Sequence, residues 1–469
     1  MERLPLDSSS RMHLIPLALI SVALLSLNPL AQPQVGIPDS AQLAHNRSIL
    51  DMQMSGLIKE TLAQNRSLRA ASSRIDEADA AARRKSSLDP PRFEIGAMDA
   101  SSGSFPNPFK DQMQMDYSLE QMVMFPGKLS TMKKAELKKK EMVQFDRTTL
   151  ERELIYKIID AFYEIYLIDR QIGINRESQA LLLRIVDIAR TQYEVGMGKQ
   201  ADILRAQAEL SNLRKRLAGL EQGRQSMSGM INALRNKPVE TPIDTTGEIF
   251  PEIFSVSFDK LRAEAAGNRP ELKAMQANLA MKKTELTVAN LEWYPDFMVK
   301  GTYSDKRPIP SSTDAMSLES GSSGQKNPDT WSIMLGVTIP EAPWTFGKSS
   351  SAQNQAKASI TGAEADLDEM YNMVQSEIFD AFTQVQSTIQ QLRLAQKTLL
   401  PQAQQAFESA LASYRTGGQE FTMLLDAQRM LLMARDDYHM TVMNYLVSLA
   451  KLERATGTNL ETITNGGQP

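Results

Sequence analysis

The sequence predicts an α+β membrane protein: four β-strands per chain, contributed to a barrel that several copies share, continuous with a much larger body of long helices. Three observations predict it: an export-type N-terminus, a stretch that recurs later in the chain, and four short segments of period 2 set between helical runs. The recurring stretch is "YEVGMGKQADILRAQAELSNLR" (193–214) and "YRTGGQEFTMLLDAQRMLLMAR" (414–435). Tyr193/Tyr414, Gly196/Gly417, Leu204/Leu425, Ala206/Ala427, Gln207/Gln428, Leu210/Leu431 and Arg214/Arg435 match, each pair 414 − 193 = 221 residues apart.

Residues 1–31 have the form of a signal peptide. Arg3 and Arg11 precede the apolar run Leu14–Leu27, and "NPLAQPQ" puts cleavage near Ala31. The run is shorter than the ~20 residues a membrane-spanning helix needs. No later segment is apolar enough, so passage through a membrane falls to strands. The 469 residues include no cysteine, which excludes disulfides and a lipidated N-terminal cysteine. With 42% hydrophobic residues the chain can bury a core, and its net charge of −4 offers no basic stripe for nucleic acid.

After an N-terminal extension (32–50), an internal two-fold repeat is expected over 51–256 and 257–457, followed by a tail, 458–469. The first repeat holds a helix, a strand hairpin (about 91–124), a long helix (127–195), a return helix (200–236) and an equatorial segment (237–256). The second holds a helix, a hairpin (about 295–341), a long helix (347–416) and a return helix (419–456). Asn65-Arg66 opens one copy as Asn268-Arg269-Pro270-Glu271-Leu272 opens the other.

Each strand has its alternation. Met113, Met115, Tyr117 and Leu119 oppose Gln114, Asp116 and Ser118, and Phe297, Val299, Gly301 and Tyr303 oppose Met298, Lys300 and Thr302. Trp331, Ile333, Leu335, Val337 and Ile339 share one side, and "RFEIGAMD" is a weaker fourth case. One apolar and one polar face suit a membrane barrel with a wet lumen. The hairpin loops are "SSGSFPNPFKD" and the Ser/Gly/Pro-rich stretch from Lys306 to Asp329. Four strands fall short of the ~8 that close the smallest barrels, and an open edge is not tolerated in lipid. Copies must therefore join through their strands, most economically as a symmetric ring.

The long helix before Val195 would run roughly 100 Å at ~1.5 Å per residue. Its later counterpart has Pro401 as the one expected kink. Gly196 and Gly417 suit left-handed caps at hairpin tips. In the first return helix Ile203, Ala206, Leu210, Leu213, Leu217, Leu220, Met227, Ile231 and Leu234 trace a coiled-coil seam missed only at Arg224.

"NRPEL" (268–272), "WYPDF" (293–297), "PGKL" (126–129) and the paired tips, in this order, resemble the TolC family of outer-membrane efflux ducts over essentially the whole mature chain. "FPGKL" and "GGQEFTMLLDAQR" are similar to the wording of its heavy-metal efflux branch. The resemblance implies a homotrimer in outer-membrane lipid of a Gram-negative envelope, with a 12-stranded barrel continuous with a periplasmic α-helical barrel. It implies a periplasmic adaptor and an inner-membrane pump as partners, and a passive exit duct of a tripartite efflux system as the function. One-step protein secretion is the alternative within the class, and a non-membrane coiled-coil scaffold the alternative outside it. By the same resemblance Val195, Gly196, Met197, Thr416, Gly417 and Gly418 face the adaptor, and Asp202, Gln419, Met423 and Asp426 are the gate candidates. Gln419 stands where the family's best-studied member has an arginine and Met423 where it has an acid, so a charged lock is weakened and a Gln419–Asp202 hydrogen bond is the substitute. Three copies of Asp426 would form a carboxylate ring that attracts cations; the plainer reading is one more exposed helix carboxylate.

Catalysis, cofactor and metal are not expected. His13, His45 and His439 are scattered, and no phosphate-cradling or metal-ligand pattern occurs. Thioethers could hold monovalent copper at Met430/Met433, but helical spacing assigns these two to core packing.

Overall fold

The computed structural model describes residues 40–98, 106–107, 114–245, 247, 249, 251, 253, 255–306, 328–340, 347–458 and 460, with side chains from Met52 onward. The signal segment, most of both hairpin loops, Met113 and most of the tail lie outside the described residues.

The chain order is α1 (Ser40–Gln64), α2 (Arg66–Lys85), β1 (Arg92–Met98), β2 (Gln114–Val123), α3 (Lys128–Glu194), α4 (Gln200–Leu234), α5 (Phe258–Asn268), α6 (Pro270–Leu291), β3 (Phe297–Lys306), β4 (Thr330–Val337), α7 (Lys348–Leu394), α8 (Leu400–Arg415) and α9 (Phe421–Thr456). Among the described residues no helix is long and apolar enough to cross a membrane.

The strands form one antiparallel sheet, β1-β2-β3-β4. Hairpins account for β1–β2 and β3–β4, while β2–β3 joins the two halves of the chain. Register aligns Ile95, Tyr117, Tyr303 and Trp331 across the sheet, and Phe93, Leu119, Gly301 and Ile333 in the next row of the same face. That face is bare: Trp331 is 76% exposed and Leu335 75%. The opposite face carries Lys300 bonded to Glu94 (2.9 Å), and Ser304 bonded to Asp116 (2.6 Å). A solvent-facing indole, tyrosines and aliphatics opposite a face of paired charges reverse the water-soluble arrangement, and lipid is the solvent that accepts it. The outer edges of β1 and β4 have no partner among the described strands.

Below the sheet, α3 runs unbroken for 67 residues. α7 and α8 are separated by one π-helical turn, Ala395–Leu399. Pro401, in the first turn of α8, has no N–H to give the preceding turn, and the wider π turn takes up the mismatch. Asn65 caps α2, its side chain accepting from Ser67 and Leu68 N–H. Arg269, at the break between α5 and α6, is buried and donates to Glu271 (2.9 Å) and to the Ala455 carbonyl (2.7 Å), which pins α6 to the end of α9. Arg224, the exception in the α4 seam, bonds Asp169 of α3 (2.6 Å) and the Ile243 carbonyl (2.9 Å), fastening the equatorial segment to the helix pair.

Among the described residues, apolar burial divides into three clusters along the helices. The one nearest the tips joins α3 (Leu182, Ile185), α4 (Ala206, Leu210), α8 (Phe407, Tyr414) and α9 (Leu424, Leu431).

The paired tips as candidate functional site

Both tips are built by the same backbone device. Gly196 (φ +78°) donates to Tyr193 O (3.0 Å) and Met197 N–H to Gln192 O (2.8 Å); Gly417 (φ +75°) donates to Tyr414 O (3.1 Å) and Gly418 N–H to Ser413 O (2.9 Å). This pair of bonds closes a helix C-terminus when the residue after the cap is left-handed, which is why glycine stands at both positions. The first tip is tighter. Gly198 N–H also reaches Gln192 O (2.8 Å), and a Cβ on Gly198 would lie 2.9 Å from Tyr193 N, whereas Gln419 occupies the same place in the second tip.

The tips sit side by side. Gln192 donates to Arg415 O (3.1 Å), Tyr414 meets Phe421 edge-on at 5.3 Å, and a cavity of about 350 Å³ lies between, lined by Gln192, Asp202, Arg205, Tyr414 and Gln419. Asp202 is buried in that wall at 8% exposure, with Arg205 at 3.9 Å. The buried Tyr414 hydroxyl makes no hydrogen bond with the described residues. Burial pushes its pKa up, and the Asp202 charge adds to the rise; both residues line the cavity wall.

Gln419 does not bond Asp202 in the chain. Its amide donates to Met423 Sδ (3.2 Å), one turn along its own helix start, which leaves Asp202 with Arg205 as its charged neighbour. Asp426 is 70% exposed, 3.5 Å from Arg429. Arg429 in turn donates to buried Glu209 of α4 (2.6 Å); this bond holds the Glu209 carboxyl below its usual range, against the opposing effect of burial. One heptad higher Arg216 of α4 bonds Asp436 of α9. The offsets are equal (429 − 209 = 436 − 216 = 220), so the return helices α4 and α9 run parallel at one height, tied by charges of opposite sense.

Val195 (63% exposed) and Met197 (72%) are bare at the extreme end, beside exposed Thr416, Gly417 and Gly418. Met430 and Met433 are not core residues. The core face of α9 is Phe421, Leu424, Leu425, Leu431 and Leu432, and these two methionines, with Met423, project from the opposite side. No cluster of three or more His, Asp or Glu among the described residues could hold a metal ion. His439 is packed, and burial, with Arg170 nearby, lowers its imidazole to about 4, leaving a neutral ring. Sequence reasoning missed the cavity that Tyr414 and Asp202 share and the Glu209–Arg429 tie; Tyr414 recurs at offset 221, but that signals only the hairpin skeleton.

The family model described as outer membrane efflux protein matches residues 57–234 and again 261–458. The outer membrane protein TolC of Vibrio cholerae is 21% identical over 68% of this chain and 71% of its own length. The probable outer membrane lipoprotein SilC of Salmonella typhimurium is 23% identical over 89% of this chain and 87% of its own length. Among solved structures, the outer-membrane channel OprN superposes with a TM-score of 0.72 at 19% identity, covering 90% of this chain and 93% of that one. CusC gives 0.72 at 17%, covering 87% and 92%.

Proposed function

The chain belongs to the outer membrane efflux protein family and is an outer-membrane protein with a large periplasmic helical part, and we propose that three copies form the passive exit duct of a tripartite pump. Three sheets of four strands make a twelve-stranded barrel, and the long helices continue it as a tunnel into the periplasm. The reading rests on the sheet: one face mostly apolar and largely exposed, the other carrying the paired charges, and both outer edges without a partner among the described strands. Only other strands can satisfy those edges in lipid. Two like halves per chain, an internal repeat, give the ring its further pseudo-symmetry.

The tips are the moving part. Asp202 of one hairpin and Tyr414 of the other line a single cavity, Gln192 ties the hairpins through the Arg415 carbonyl, and Gln419 and Met423 crowd the same end. A periplasmic adaptor that grips Val195, Gly196, Met197, Thr416, Gly417 and Gly418 favours the splayed arrangement, and an inner-membrane pump supplies cargo and energy; the change is a shift of population between two tip states. Asp426 forms the cation-attracting ring at the closed end. The test is the mass of the purified protein in lipid nanodiscs by native mass spectrometry. A trimer is expected; a stable monomer would leave two strand edges open in lipid and sink the assembly.

A further inference from the structure

A second cavity, of about 720 Å³, lies within one chain between α8 and α9, well above the tips. The π turn and α8 supply Leu399, Ala403 and Ala406 to its wall, and α9 supplies Met430, Met433 and Met440. Unbranched thioether side chains reshape readily around an apolar guest. Polar groups are few and of one net sign. Arg216 and Asp436 pair across the floor, while the second carboxylate oxygen of Asp436 is buried with no hydrogen-bond partner among the described residues. Asp437, also in the wall, makes no ion pair with a described residue, so one negative charge is uncompensated. The size points to an organic molecule: pockets of about 300–1,000 Å³, apolar with a few convergent polar groups, suit drug-sized ligands, whereas a soft metal ion on the thioethers needs no such free volume.

We propose that this cavity binds a lipophilic organic monocation, with its apolar body against the methionines and its charge toward Asp436 and Asp437. The site is formed by a single chain, and binding to it is measured without transport, so its failure and that of the duct reading are separable.

The experiment is equilibrium dialysis of the full chain in lipid nanodiscs against tetraphenylphosphonium and its near-isosteric anion tetraphenylborate, with empty nanodiscs subtracted. Saturable binding of the cation, one per chain, is expected, with the anion weaker by about tenfold or more. Ala434→Trp, which fills the cavity, abolishes the saturable component. Asp437→Asn, at the rim where folding is not at stake, weakens the cation by about three- to tenfold and leaves the anion unchanged. Equal affinity for both ions, saturable binding that survives Ala434→Trp and Asp437→Asn, or no saturable binding because a neighbouring copy covers the groove would each overturn the proposal.

Discussion

The two tips of one chain share a backbone and differ in almost every charge. At the offset of 221, Lys199 corresponds to Glu420, Asp202 to Met423 and Arg205 to Asp426. The turn itself is held constant by its left-handed glycines and paired carbonyls, because that geometry admits few residues. The first turn of each return helix is free to diverge: one tip buries its carboxylate in the cavity wall it shares with Tyr414, and the other leaves its carboxylate in solvent. The duplicated feature is thus mechanical and the unequal one electrostatic.

The largest effect is expected where the tips are alike. Gly196→Val and Gly417→Val each force a β-branched residue to positive φ, at a cost of about 1–2 kcal/mol, and together they should abolish slow amide exchange around both tips. Equal losses at both tips are expected; a loss confined to one tip would show that the two turns are not mechanically equivalent. Next come the unequal turn positions. Gly198→Gln should destabilise the first tip by roughly 1 kcal/mol in thermal unfolding, while the reciprocal Gln419→Gly changes the second by only a few tenths.

Acidification tests the tie between the return helices. Glu209 has its pKa depressed by Arg429, so the pair's contribution is complete above the ordinary glutamate range (~4.3) and is lost as pH falls through the lowered value. Glu209→Gln should therefore flatten the acid limb of the stability profile and cost about 1 kcal/mol or less at neutral pH. Asp202→Asn removes one of the two causes that raise the Tyr414 pKa, and ultraviolet titration should show that tyrosine ionising at lower pH than in the wild type. The smallest change in stability, under about 0.5 kcal/mol, belongs to Asp426→Ala, an exposed carboxylate on a helix face.

Much of this architecture is legible in the sequence because periodicity reports faces. Period 2 put Tyr117, Tyr303 and Trp331 on one side of their strands, and the register lines up those same residues. Glycine marked the tips because nothing else adopts their backbone at low cost. Periodicity does not report partners. The β2–β3 pairing, the Gln192–Arg415 bond between the tips and the salt bridges between α4 and α9 join residues some 170 to 220 positions apart, and no local pattern encodes which surfaces meet. Met430 and Met433 show the same limit from the other side: helical spacing placed them on one stripe, and only the packing of four helices decided that this stripe faces outward. The π turn before Pro401 was legible as a fault in the helix, though not as its remedy.

The most direct test is single-channel conductance of the purified protein in a planar bilayer, wild type against Asp202→Ala and Asp426→Ala, with and without a trivalent cation. A gated duct predicts small conductance in the wild type, a larger one when the buried Asp202 carboxylate is removed from the tip wall, and a cation block that Asp426→Ala relieves. Absence of any conducting pore in all three proteins would contradict the duct.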